Sequence, residues 1–154
     1  AIGGVEVVIH EDDILPPRFK AGTTVLLQGN DVVAYVQSRR TEMPNERIDS
    51  NNNRMARQKQ YMMNFIQKVM EKTKEDVSTP LNLYNIVKKN DHIITNLDTS
   101  KIAYLTTQAA KVNFSEDSFC TVPGEVVAGE EHAEYHVDDE ALYQMILDTF
   151  YIKQ

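Results

Sequence analysis

The first patterned stretch, Val5-Glu6-Val7-Val8-Ile9, is dominated by β-branched residues and predicts a strand. Pro16-Pro17 forces a loop after it, and Thr23 to Leu27 forms a second short β-branched run. Gly29-Asn30-Asp31 opens a short helix expected to end near Val36. The next segment, Ser38 to Asn53, is rich in Arg, Asn, Asp and Ser, holds Pro44, has no period and is expected to be a loop. From Arg54 to about Thr73 the period becomes helical, with Met55, Met62, Ile66 and Val69 within about 60° of one another at 100° per residue and Phe65 at the edge. Thr79-Pro80 supplies a cap and a first-turn proline for a helix to about Lys89, which Asn90 can end. Asp91 to Asn96 is strand-like around Ile93-Ile94, and Asp98-Thr99-Ser100 caps a helix to about Lys111. Phe119 to Val122 is expected as a strand, Pro123-Gly124 as a turn, and Glu134 to Val137 as extended chain. Asp138-Asp139-Glu140 starts a last helix whose Leu142, Met145, Ile146 and Phe150 form its apolar face.

Strands alternating with helices predict an α/β fold, with α+β as the alternative, built as a central β-sheet flanked by helices in a single domain. The 154 residues are enough for one such domain, which would bury roughly 70% of the surface its unfolded chain exposes. With 42% hydrophobic and 25% charged residues, the composition excludes a wholly disordered chain. No apolar run approaches the roughly 18 residues of a membrane span, and no signal peptide opens the chain, so the sequence as it stands is expected to be soluble. Its abrupt start at Ala1-Ile2-Gly3-Gly4, directly before a strand, suggests a fragment or a processed chain. The single cysteine, Cys120, forms no internal disulfide and belongs to no zinc-binding cluster.

Sixteen Lys and Arg against 23 Asp and Glu give a formal charge of −7, which argues against a protein that coats nucleic acid by bulk electrostatics. The charge is uneven. Residues 36–75 hold nine basic and five acidic side chains, a net of +4 that leaves −11 for the rest, while residues 113–154 hold ten acids and only Lys153. The basic segment is where chemistry concentrates. On a helical wheel Arg54 and Gln58 fall about 40 to 80° from the centre of the apolar stripe, and Arg57 about 60° farther out, so Arg54 and Gln58 are expected to aim at the interior. Arginine in a first helical turn opposes the helix dipole, and an anionic ligand would reverse that sign. The N–H groups of this helix start, the guanidiniums of Arg54 and Arg57, and Arg39 on the preceding loop together suit a phosphate or pyrophosphate. Surface pairing of these arginines with Glu42, Glu46 or Asp49 is the competing reading.

Glu131-His132-Ala133-Glu134-Tyr135-His136 invites a metal reading, but alanine at 133 breaks the H-E-x-x-H pattern. In extended chain the two histidines would lie roughly 13 Å apart, too far to share one ion, so no metal ligands are assigned. His10 and His92 stand alone as strand-end or packing residues. Ser115, Ser118 and Cys120 have no patterned His or Asp nearby, so no nucleophile is named.

The order Ile2-Gly3-Gly4-Val5-Glu6-Val7, Leu27-Gln28-Gly29, Ala34-Tyr35-Val36-Gln37-Ser38-Arg39 and Arg54-Met55-Ala56-Arg57-Gln58 resembles the LytR-CpsA-Psr family. Thr95-Asn96-Leu97, Val122-Pro123-Gly124 and Tyr135 before the acid-capped last helix resemble its C-terminal part. The resemblance implies that residues 1–154 are the C-terminal portion of an extracellular catalytic domain, incomplete on its N-terminal side. It implies an enzyme at the outer face of the Gram-positive cell membrane, anchored by a segment absent here. Such an enzyme is a phosphotransferase that moves teichoic acid or capsular polysaccharide from a polyprenyl-pyrophosphate carrier to peptidoglycan, assisted by Mg²⁺ whose ligands would lie outside this chain. By motif, Arg39, Arg54 and Gln58 would act on the carrier's phosphates and Arg57 would be a close neighbour. Two positions depart from the pattern: Gln37 replaces the first arginine of a pair, and Asn51 replaces an aspartate, with Asp49 two residues off register. These departures favour a second reading, a noncatalytic module that binds anionic glycopolymer or lipid phosphate. A third, transcriptional regulation, follows from the family's older label of transcriptional attenuator, and the acidic balance speaks against it.

Overall fold

The computed structural model describes residues 2–10, 17–38, 44–89, 93–109, 111–115, 118–129 and 133–151, with side chains described from Asn52 in the long helix and from Glu134 in the last strand. Strand β1 (Val5–Val8) pairs antiparallel with β2 (Thr24–Leu27), Val5 opposite Leu27 and Val8 opposite Thr24. Burial alternates along β1 as the period of a half-covered strand requires: Val5 and Val7 point inward, Glu6 and Val8 outward. Beyond the ladder, the Ile9 N–H donates to Thr23 O at 2.9 Å and the Gly22 N–H to Ile9 O at 2.8 Å, which carries the inward face on to Ile9. Gly4 cannot be replaced here without strain. Its φ is +106°, and a Cβ would meet Gln28 Cγ at 2.8 Å and Leu27 O at 3.0 Å.

Helix α1 (Asn30–Gln37) lays Tyr35 against this ladder, where its ring meets Phe19 edge to face, centroids 6.3 Å apart. Helix α2 runs from Pro44 to Glu75, 32 residues and about 48 Å long. The core joins Ile2, Val5, Val7, Ile9, Phe19, Leu27 and Tyr35, and Tyr61, Phe65 and Val69 of α2 pack against it. Helix α3 (Thr79–Lys89) begins where expected, although Ser78, held by Asp76, occupies the cap one residue earlier than the Thr79 read from the sequence. Helix α4 (Thr99–Ala109) is capped by Asp98, whose Oδ1 accepts from the Lys101 N–H at 2.8 Å and from Ser100 Oγ at 2.6 Å. Strands β3 (Gly124–Ala128) and β4 (Ala133–Val137) form a second antiparallel pair. Helix α5 (Asp139–Phe150) follows, capped by Asp138, which accepts from the Ala141 N–H at 2.9 Å.

The mixture of helix and strand in one unit is the α/β class expected, with the sheet present among the described residues as two separate two-stranded ladders. Four local expectations are corrected. The segment ending at Asn53 is no loop from Pro44 onward: proline at the first helical position starts α2 there, and the weak formers 45–53 join because extending a helix costs far less than nucleating one. Residues 93–98 form no strand, and Ile94 lies wholly exposed. Phe119 to Val122 is not a strand either, because side chains take carbonyls that a ladder would use: Lys59 Nζ donates to Phe119 O at 3.3 Å and the Tyr135 hydroxyl to Val122 O at 2.6 Å. Pro123-Gly124 accordingly leads into β3 instead of turning, and Gly124 is required there because a Cβ would lie 2.4 Å from His136 O.

Candidate anion-binding site

The basic turn of α2 lies against the end of α1. The wheel centred on Met55 and Met62 is rotated by roughly 90° from the face that actually meets the core. Met55 and Met62 are about half exposed, while the row Arg57, Tyr61, Phe65, Val69 turns inward. The two aromatic rings decide this, since each buries more apolar area than a methionine. Met63 is buried on the opposite side of α2, the side on which Lys59 reaches Phe119 O.

This rotation reorders the predicted site residues. Arg57, read as the outer one, is the buried one at 5% exposure; Arg54 is half-buried with its Nε shielded from solvent; Gln58 is exposed. Arg57 Nε donates to Tyr35 O at 2.8 Å and a terminal guanidinium nitrogen donates to Ser38 O. Gln58 Nε2 donates to Val36 O at 3.0 Å. Two adjacent side chains of α2 thus bind the last carbonyls of α1, the groups a helix leaves without intrahelical partners. The charge of Arg57 also faces the negative end of the α1 dipole.

The helix start invoked from the sequence is not at Arg54. Pro44 begins α2 ten residues earlier, about 15 Å away along the axis, so neither free N–H groups nor the dipole reach Arg54. What gathers cations here is the packing of α2 on α1. Arg39 lies outside the described residues, as do the side chains of Glu42, Glu46 and Asp49 that would compete for the arginines.

Sequence reasoning missed a second layer beneath the arginines. The buried Tyr35 hydroxyl donates to Gln60 Oε1, and Gln60 Nε2 lies 3.2 Å from His10 Nε2. Gln60 is three residues past Arg57, so the same turn that binds the α1 carbonyls also reaches the Tyr35 ring end. The signal was the polar pair Arg57 and Gln60 at helical spacing beside a tyrosine-bearing helix. Next to them, burial pushes the Tyr61 phenol above its ordinary pKa, which keeps that ring neutral. On the far side of Tyr35, Arg18 pairs with Asp31 and stacks over Phe19, its guanidinium carbon 4.8 Å from the ring centroid.

No group of three or more His, Cys, Asp and Glu converges among the described residues, and Asp31, in the first turn of α1, is paired with Arg18. The described donor set therefore does not fit Mg²⁺. His136 faces Glu134 at 3.2 Å; His132 and His92 lie outside the described residues. His10 stands exposed just past β1, the strand-end position expected of it.

Comparison with curated proteins returns no match. The crystal structure of the Lin1025 protein from Listeria innocua is similar in fold, with a TM-score of 0.54 at 21% identity over 94% of this chain. The chain spans 60% of the length of that protein. The model of the LytR_cpsA_psr family matches residues 1–149, nearly the whole chain. The chain belongs to the LytR-CpsA-Psr family.

Proposed function

We propose that the chain serves cell-envelope glycopolymer attachment as part of a phosphotransferase, which moves teichoic acid or capsular polysaccharide from a polyprenyl-pyrophosphate carrier to peptidoglycan with formation of a phosphodiester. Family membership supports the glycopolymer-related role. The observation that carries the chemistry is the cationic turn of α2, where Arg54 stands one turn before a buried Arg57. Phosphoryl transfer needs little from a protein beyond positioning and positive charge around the oxygens of the transferred group. Arg54, with its stem and Nε sheltered, offers a guanidinium whose attraction for a pyrophosphate is less screened than at an open surface. Gln58 would hold the end of α1 through Val36 O, and Arg39 joins the proposal by motif alone. In this reading the chain works at the outer face of the membrane; no helix among the described residues is long and apolar enough to cross one.

The test is calorimetric titration of a short-chain polyprenyl pyrophosphate into the chain and into Arg54→Ala. Loss of binding in the variant, with the fold retained, is expected; equal binding by both refutes the assignment. A second reading, a binding module without turnover, draws on Gln37, which ends α1 exposed and uncharged at the position of a family arginine, and on Asn51 in place of an aspartate. Binding without transfer, when the chain is supplied with carrier and acceptor, would select it.

A further inference from the structure

We infer that Arg57 is a positioning residue, which locks the end of α1 to the turn of α2 that carries Arg54 instead of contacting the ligand itself. The inference rests on the anion-site reading above but concerns a residue that a spacing argument would count as one more phosphate ligand. Three observations carry it. Arg57 is 5% exposed, whereas Arg54 is only partly buried, so a ligand arriving from outside meets Arg54 first. Its guanidinium grips two carbonyls three residues apart, Tyr35 O and Ser38 O, spanning the last turn of α1 and the residue that ends it. Its neighbours repeat the grip: Gln58 takes Val36 O at 3.0 Å and Gln60 takes the Tyr35 hydroxyl.

The consequence is mechanical. Arg18 ties the first turn of α1 through Asp31 and Tyr35 packs on Phe19, but the last turn of α1 has no basic residue of its own, so the carbonyls there draw their cationic donor from α2. The planar fork of an arginine can bind two carbonyls at once in fixed geometry, while the point charge of a lysine on a flexible stem cannot hold both. Arg57→Lys therefore separates the two roles. It keeps the positive charge a phosphate ligand would need and removes the two-point grip.

The experiment compares the wild-type chain, Arg57→Lys, Arg54→Lys and the double variant by two readouts. The first is amide hydrogen exchange across residues 33–38, where Arg57→Lys is expected to speed exchange at least tenfold while β3 and β4 stay unchanged. Unaltered exchange in that segment overturns the grip whatever the ligand does. The second is titration with inorganic pyrophosphate. Arg57→Lys is expected to bind about tenfold more weakly, and the double variant no more weakly than the weaker single one, because both changes act on one arrangement. Losses that multiply, or an Arg57→Lys that binds as the wild type does, overturn the positioning role. A wild-type chain that binds no pyrophosphate, with exchange responding as expected, overturns the anion-site reading and the functional half of this inference while leaving the mechanical half established.

Discussion

Replacing Tyr35 by phenylalanine isolates one hydrogen bond at the centre of the fold. The ring stays, with its edge-to-face contact to Phe19 and its near-complete burial, and only the hydroxyl that donates to Gln60 Oε1 is lost. A hydrogen bond of this kind contributes about 1 kcal/mol net, and the upper end of the range applies only when the abandoned partner stays dry. Gln60 is half-buried, and its amide also lies beside the exposed His10, so water can replace the phenol. The expected loss is therefore about 1 kcal/mol, equivalent to about 2 to 4 °C in Tm for a domain of this size. Urea unfolding followed by circular dichroism reads it as a midpoint shift of about 0.5 M with an unchanged slope. Tyr35→Ala, which also empties the ring's volume, should lose about 3 to 5 kcal/mol in the same assay. A Tyr35→Phe loss as large as that of Tyr35→Ala would refute the reasoning, since the hydroxyl would then be holding the helix pair together by itself.

Two further outcomes follow from local geometry. Gly124→Ala places a Cβ 2.4 Å from His136 O and 2.8 Å from the Tyr135 ring, so exchange protection of the β3–β4 amides should fall while that of β1–β2 stays intact; equal protection in both pairs would count against the register. The hydrogen bond from Ser100 Oγ, followed by that from the Lys101 N–H, holds the Asp98 carboxyl below its ordinary value of 3.8, so its contribution to α4 is complete above that value and is lost as the pH falls through the lower folded one. Acid-induced fraying of α4, followed by amide exchange, should therefore be steeper in the wild type than in Asp98→Asn, and identical profiles would contradict the cap.

The elements that the sequence announced are those with a local physical cause. Helices α4 and α5 start at Asp98 and Asp138 because the aspartate side chain accepts from a first-turn N–H, and α3 starts after a turn in which Asp76 accepts from the Ser78 N–H, signals carried within four residues. Strands β1 and β2 show their burial as β-branched patterning. The failures are tertiary. Residues 45–53 look like a loop, yet Pro44 and the long helical stretch after them make helix the cheaper continuation. The orientation of α2 depended on which residues its partners would accept, and period alone could not rank Met62 against Tyr61 and Phe65. The candidate site inherited that error: Arg54, Arg57 and Gln58 were recognised as a group, but which was buried, and against what, depended on α1 meeting α2 across the fold.

The two arginines of that turn should separate on two axes. Arg57 donates from a charged group to two carbonyls at a partly buried helix end, and hydrogen bonds of this kind are each worth about 1.5 to 3 kcal/mol. Arg57→Ala removes both bonds, and the Tyr35 carbonyl is the deeper of the two acceptors, so a loss of about 3 kcal/mol in unfolding free energy is expected, a large share of the stability of an ordinary domain. Arg54 is only partly buried, and its truncation chiefly removes stem packing, for which about 1 kcal/mol is a fitting scale. Anion binding should run the other way, with Arg54→Ala losing more pyrophosphate affinity than Arg57→Lys, since Arg54 is the less buried of the two. Unfolding in urea and pyrophosphate titration measure the two axes on the same protein. If Arg54→Ala proves the more destabilising and Arg57→Lys the weaker binder, the roles are reversed, and the buried guanidinium must be reached by the ligand through a movement of α1.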